Sequence, residues 1–337
     1  MPRPRICLTL VRNEAWILPA FLQAASTWAD HILICDHRSD DGSREIAAGF
    51  PKVRVIDYAD PAFDGSAMRA LLLAEARRIA PGAACFPLDA DEILSAGHFG
   101  SDFWTAIDRA EPGTVFDALW RNLAPGLEAY VAARDERQVV CWIDRPDLAY
   151  GDRRFNEERA PRQDRLPRVH LDDICLMHLQ YADWPRFSTK ICWYQCVRKV
   201  AGEGTADRLA WGYRAILNEV TDPAARRPLP PEWLDGYRGR GIDLHIRPTP
   251  LAELWRVREV LDLMARHGTA AFKGLLIWDH DWVGTARELG VPDPDRFADP
   301  RDAATRWVHR RIFERARGKR KGLPRHAGRV AATVLGW

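Results

Sequence analysis

The chain contains no uninterrupted apolar run near the roughly 18 residues that a membrane-spanning helix requires. Met1-Pro2-Arg3-Pro4-Arg5 leads straight into a strand-like segment without the apolar core of a secretory signal. A soluble, cytoplasmic protein is the expectation. None of the seven cysteines (7, 35, 85, 141, 175, 192, 196) stands in a CxxC pair, and most lie inside apolar runs. A zinc ribbon and a disulfide framework are thereby excluded, and the thiols read as reduced core residues. No internal repeat is present, so solenoid architectures are excluded as well.

What is present suffices for a large core: 47% of the 337 residues are hydrophobic, and 14 are tryptophan. The length accommodates one large α/β domain with a C-terminal extension as well as two domains. Charge is unevenly distributed. The formal net charge is +2, but residues 306–337 carry ten Lys/Arg against Glu314. That stretch is therefore +9, and residues 1–305 are −7. Trp307, Ile312, Phe313, Val330, Val334, Leu335 and Trp337 interleave with the basic residues. The expectation is an anionic membrane surface as partner, at the inner face of a membrane, with no specific nucleic acid; a solvated terminus explains the same composition.

The first third reads as alternating strands and helices. Arg5 to Val11 is a strand candidate, and Asn13 can cap a helix carrying the apolar stripe Trp16, Ile17, Ala20, Phe21 and Ala24. His31 to Cys35 forms a second strand ending at Asp36, and the loop from His37 to Ser43 opens a short helix. Lys52 to Tyr58 is a third strand, Ser66 to Ala80 an amphipathic helix, and Ala83 to Leu88 a fourth strand. This alternation predicts a mostly parallel central sheet flanked by helices, with a ligand crevice at the carboxyl ends of its strands.

The fourth strand delivers Asp89-Ala90-Asp91-Glu92. Two carboxylates one residue apart at a strand end can hold a hard divalent cation, Mn²⁺ or Mg²⁺, whose other positions are filled by water and substrate phosphate oxygens. Solvated acids at a strand end account for these four residues equally well, so the neighbouring segments decide.

Three segments in order, Val11-Arg12-Asn13-Glu14, Asp36-His37-Arg38-Ser39-Asp40-Asp41-Gly42-Ser43 and Asp89-Ala90-Asp91-Glu92, resemble the family 2 glycosyltransferases of the GT-A fold. The resemblance covers residues 5–94. It implies a nucleotide-sugar donor contacted by Val11, Asn13, Glu14, Asp36, Ser39, Asp41 and Arg69, and a metal on Asp89 and Asp91. Asp36-His37 departs from the family's more usual Asp-Asn, leaving the part played by residue 37 open. His178 closes the strand-like Asp172-to-Tyr181 segment and matches the downstream metal ligand of GT-A enzymes; an imidazole ligand favours Mn²⁺ over Mg²⁺. Arg186 and Lys190 share a helix face that suits a leaving diphosphate. The catalytic base is sought between Asp91 and His178, at Asp173 or Glu157, with Asp172 adjacent.

Beyond residue 200 the resemblance thins. The loop-like Ala201 to Gly204 and the proline-rich Arg226 to Pro231 place a boundary near 200, giving a catalytic domain at 1–200 and a mainly helical region at 201–337 with a basic end. The expected activity is metal-dependent, inverting transfer of a sugar from a nucleotide-sugar, UDP-linked, to a glycan or lipid-linked acceptor. A nucleotidyltransferase shares the sheet and the metal chemistry, but Thr9-Leu10-Val11-Arg12-Asn13 lacks the glycine-rich loop such an enzyme carries. A non-catalytic carbohydrate- or nucleic-acid-binding protein accounts for the tryptophans and the basic end, though not for the convergence of Asp89, Asp91 and His178.

Overall fold

The computed structural model describes residues 2–132, 136–152, 158–161, 166–244, 246, 248–251, 254–316 and 323–337, without the side chains of 315 and 323–325. The chain forms two compact units, residues 1–182 with 227–248, and residues 183–226 with 249–337. The division falls at Asp183 rather than near 200. Asp183 caps a helix that runs unbroken to Val200, so the loop-like composition at 201–204 marks only a turn between helices.

The first unit is the α/β layer. Its strands are β1 (Arg5–Val11), β2 (His31–Asp36), β3 (Val53–Asp57), β4 (Ala84–Phe86), β5 (Glu92–Leu94), β6 (Val115–Leu123), β7 (Ala129–Val131), β8 (Arg137–Ile143), β9 (Arg168–His178) and β10 (Arg226–Pro228). Strands β3, β2, β1 and β4 are parallel neighbours in that order, and β8 and β6 continue the sheet antiparallel. Helices α1 (Leu18–Ser26) and α3 (Gly65–Ile79) lie on opposite faces, with α2 (Ser43–Ala48) after β2 and α4 (Phe103–Arg109) before β6. The period-2 geometry of β1 shows how this arises: Ile6 and Leu8 pack with Met68, Leu72 and Ala76 of α3, while Cys7 packs with the cluster containing Phe21 and Leu22 of α1. Helix α3 starts where Asp64 accepts from the Ala67 N–H at 3.0 Å. Helix α1 starts at Leu18, later than the sequence suggests, because Asn13 adopts a left-handed conformation (φ 57°) and bonds to another loop instead of capping a helix. All seven cysteines are free and buried.

Residues 227–248 return to this unit and add α7 (Glu232–Arg238). Its Tyr237 is fully buried, donates to the Leu94 carbonyl at 2.8 Å and lies 3.1 Å from Nε2 of His98, itself buried. Burial, reinforced by the charge of Arg240, lowers the His98 pKa to about 4. The unfolded chain then binds more protons than the native one between about pH 6.5 and 4, so stability falls as pH falls through that window, by roughly 3 kcal/mol at its lower end. Urea unfolding at several pH values should show this slope, and His98→Leu should flatten it; an unchanged slope would remove His98 as its source.

The second unit is helical: α5 (Trp184–Val200), α6 (Ala206–Val220), α8 (Trp255–His267), α9 (Trp282–Glu288), α10 (Ala303–Arg311) and α11 (Leu323–Val334). The described part of residues 306–337 packs into it. Phe313 and Ala316 are buried, the Trp337 ring packs edge-on to His309 and tilted to Phe313 at 5.0 and 6.1 Å, and a Cβ on Gly274 would stand 2.7 Å from the Trp337 ring. Phe313 and Ala316 therefore belong to the core of this unit with Trp337 packed against it, and deleting residues 306–337 would open that core. Among its described residues Trp307, Val330 and Val334 are the exposed large apolar ones. Among the described residues no helix is long and apolar enough to cross a membrane.

Candidate functional site

In-register pairing of Val11 with Asp36 and of Asp36 with Asp57 levels the carboxyl ends of β1, β2 and β3. The loops that follow are laced together. Asn13 exchanges two side-chain hydrogen bonds with Asp40 (2.7 and 2.9 Å), and its N–H donates to Ser39 Oγ at 2.9 Å. Asp41 accepts from the Ala15 N–H at 2.9 Å and from both the N–H and the hydroxyl of Ser43. Ser43 Oγ in turn accepts from the Glu14 N–H, and Glu14 accepts from Trp16 Nε1 at 2.6 Å. Ser39 and Asp41 thus brace the loop with the atoms expected to meet a ligand. Val11 is buried, and its carbonyl accepts from the His37 N–H at 2.8 Å.

Asp36 is different. One carboxylate oxygen accepts from the Ser39 N–H at 3.2 Å and from Arg44 at 2.9 Å, while Oδ1 is buried with no hydrogen-bond partner among the described residues. A buried acceptor left unmatched is costly. His37 turns inward: its Nε2 lies 2.9 Å from the Asp60 carbonyl, and its ring packs against Tyr58 and Phe63. The departure from Asp-Asn is thus absorbed structurally, with burial first and Arg12 next lowering the His37 pKa.

Strand β4 flanks β1 on the side away from β2, so the Asp89 turn stands about two strand spacings, ~10 Å, from Asp36. The turn closes on itself: the Glu92 N–H donates to the Asp89 carbonyl at 2.9 Å, and the Asp89 N–H donates to Glu92 Oε2 at 3.1 Å. Glu92 is fully buried and accepts from both terminal nitrogens of Arg159 (2.5 and 2.6 Å) and from Trp120 Nε1 (2.7 Å). Asp89 receives Arg69 of α3 at 3.2 Å and Arg159 at 3.1 Å. Burial alone would raise the Asp89 carboxyl, but Arg159 and then Arg69 outweigh it and hold it below the usual carboxylate range.

Pairing of β9 with β5 and β6 puts His178 opposite Glu92 and Asn122. The His178 ring stacks on Trp120 at 4.5 Å, and its Nδ1 lies 2.7 Å from Asn122 Oδ1, which also accepts from Gln180 at 2.9 Å. That contact makes Nδ1 the donor, so in the neutral ring Nε2 presents its lone pair to Asp91 Oδ2, 3.4 Å away. Two electron-rich atoms facing each other call for a proton or a cation between them. Among the described residues no group of three or more His, Cys, Asp or Glu is arranged to hold an ion. The expected triad thus reduces to the pair Asp91 and His178, because Asp89 is engaged by two arginines.

Asp173 is not brought to this pair. It lies in the irregularity of β9 between Leu171 and Cys175, is exposed, and accepts from Ser101 Oγ. Asp172 pairs with Arg137. Glu157 lies outside the described residues. Lys190 and Arg186 are on α5 of the second unit, where Arg186 is buried. Sequence reading missed Glu92, Asn122, Gln180 and Arg159. The Glu of the acid motif was the available signal; the others are joined to it only by folding.

No family model matches the chain, and no curated protein does. The solved structure of 4-diphosphocytidyl-2C-methyl-D-erythritol synthase is similar at 14% identity and a TM-score of 0.27, over 78% of this chain and 100% of that one. A superposition that poor says nothing about the site.

Proposed function

We propose that the protein is a metal-dependent, inverting glycosyltransferase that moves a sugar from a UDP-linked donor to a glycan or lipid-linked acceptor. The observation carrying this reading is the lone pair of His178 Nε2 aimed at Asp91 Oδ2 beside the arginine-flanked Asp89. One carboxylate oxygen and one imidazole nitrogen fit Mn²⁺, with water and diphosphate oxygens completing the shell. Asp91 and His178 would hold the ion, which when bound neutralises charge on the leaving nucleoside diphosphate.

The chain's own residues do the rest. Arg69 and Arg159 fix Asp89 and supply positive charge beside the diphosphate. The unmatched Asp36 Oδ1 accepts from a hydroxyl or ring N–H of the nucleoside. With Asp173 at the far part of β9, we assign the acceptor proton to Glu157, two residues before Arg159 in the chain.

Product analysis tests the reaction class: a UDP-sugar with Mn²⁺ should yield UDP, whereas pyrophosphate release from a nucleoside triphosphate would establish a nucleotidyltransferase instead. Asp36→Ala should raise the UDP dissociation constant by about one to two orders of magnitude, the scale of a charged hydrogen bond. Equal affinity by calorimetry would place the nucleoside elsewhere.

A further inference from the structure

The second unit holds a cavity of about 230 Å³ that the proposed reaction does not use. Arg214 of α6, Arg301 before α10, and Arg306 and Arg310 of α10 point four guanidiniums at it, while Asp279 and Glu314 return two negative charges. Arg306 and Arg310 are four residues apart and share a helix face.

These arginines are held in different ways. Arg301 is fixed: it makes three contacts of 3.0–3.1 Å with Asp299, donates to the Trp278 carbonyl at 3.2 Å, and approaches His309 Nδ1 at 3.2 Å. His309 lies with Nε2 3.3 Å from the Gly274 carbonyl, so its Nδ1 accepts from Arg301 and the ring adds no charge. Arg214 is held loosely, 3.8 Å from Asp279 and 3.9 Å from Glu314, with its Nε buried and without a hydrogen-bond partner among the described residues. Arg310 is exposed and makes no ion pair among the described residues. Arg306 lies 3.5 Å from Asp299, which it shares with Arg301, so among the described residues four guanidiniums meet three carboxylates, and the donors of Arg214 and Arg310 are available.

We propose that this cavity binds a phosphate group, with Arg214 and Arg310 as its principal donors and Arg306 beside them. Guanidinium forks match phosphate oxygens in pairs, which an ammonium cannot do. The volume is below the roughly 300–1,000 Å³ of pockets for drug-sized ligands, so it suits one small anionic group rather than a nucleotide. The same chemistry is offered by free phosphate and by the monoester headgroup of a lipid.

The test is calorimetric titration of the full chain with inorganic phosphate at fixed ionic strength, paired with thermal unfolding. Saturable binding that raises the unfolding temperature is expected. It should weaken about tenfold or more in Arg310→Gln and Arg214→Gln, and persist in Asp91→Ala, which separates it from any phosphate bound in the first unit. Arg310 is exposed, so its variant retains the fold even if Arg214→Gln does not. Absence of saturable binding, or equal affinity in Arg310→Gln, would overturn the proposal. Sedimentation with vesicles containing phosphatidic acid, competed by inorganic phosphate and lost in Arg310→Gln, identifies the source as a lipid; phosphate binding without sedimentation identifies it as free phosphate.

Discussion

Asp91→Ala should abolish Mn²⁺-dependent donor binding and cut turnover by at least about 100-fold, the upper end of what disturbing a metal's surroundings costs. The effect is expected to be large because Asp91 supplies a carboxylate 3.4 Å from His178 Nε2, while Asp89 is already engaged by Arg69 and Arg159. Removing Asp91 leaves an imidazole alone, too little to hold a divalent ion against water. His178→Ala should have the smaller effect, about 10- to 100-fold in Mn²⁺ affinity. The fold should persist, since the Leu179 N–H bonds to the Asp91 carbonyl and not to its side chain. Unchanged turnover at saturating Mn²⁺ would remove Asp91 from the mechanism, and equal losses in Asp91→Ala and Asp173→Asn would mean that the site has been placed in the wrong part of β9.

Local order was legible in the sequence and long-range pairing was not. Burial on both faces of the parallel strands makes β1 and β2 read as apolar runs, and their polar carboxyl ends mark the crevice edge, so Asp36 and the acid turn could be located. The partners of those acids could not. Arg159 reaches Glu92 across 67 positions, and Trp120 reaches it across 28; no spacing rule joins such residues. Asp173 shows the same limit: it is close to His178 in sequence, but the irregularity of β9 between Leu171 and Cys175 and its bond from Ser101 could not be read from spacing. The contacts of Ser39 and Asp41 were hidden differently, since a serine or aspartate that can bind a ligand can equally satisfy a backbone N–H, and here the neighbouring loop lies within reach. In the basic end, composition alone could not separate Phe313 and Trp337, which pack inward, from the exposed Trp307, Val330 and Val334.

The largest effect on stability is expected at the pair beneath the site. Arg159→Met should destabilise the first unit by about 3–5 kcal/mol, the cost of leaving one member of a buried ion pair uncompensated. Glu92 is fully buried, and its oxygens are saturated by Arg159, Trp120 and the Asp89 N–H, so no water stands ready to replace the guanidinium. Glu92→Leu should likewise destabilise, because it leaves Arg159, whose side chain is 14% exposed, with Asp89 as its remaining carboxylate and releases the turn that presents Asp89. Joining Glu92→Leu with Arg159→Met removes both charges, and the double variant should cost less than the sum of the singles by more than about 1 kcal/mol. Urea midpoints at constant m-value measure all three. Strict additivity, or a cost below about 1 kcal/mol for Arg159→Met, would show that the ion pair does not hold the turn. In that case the placement of Asp89 and Asp91 would have to rest on the pairing of β5 with β9 alone.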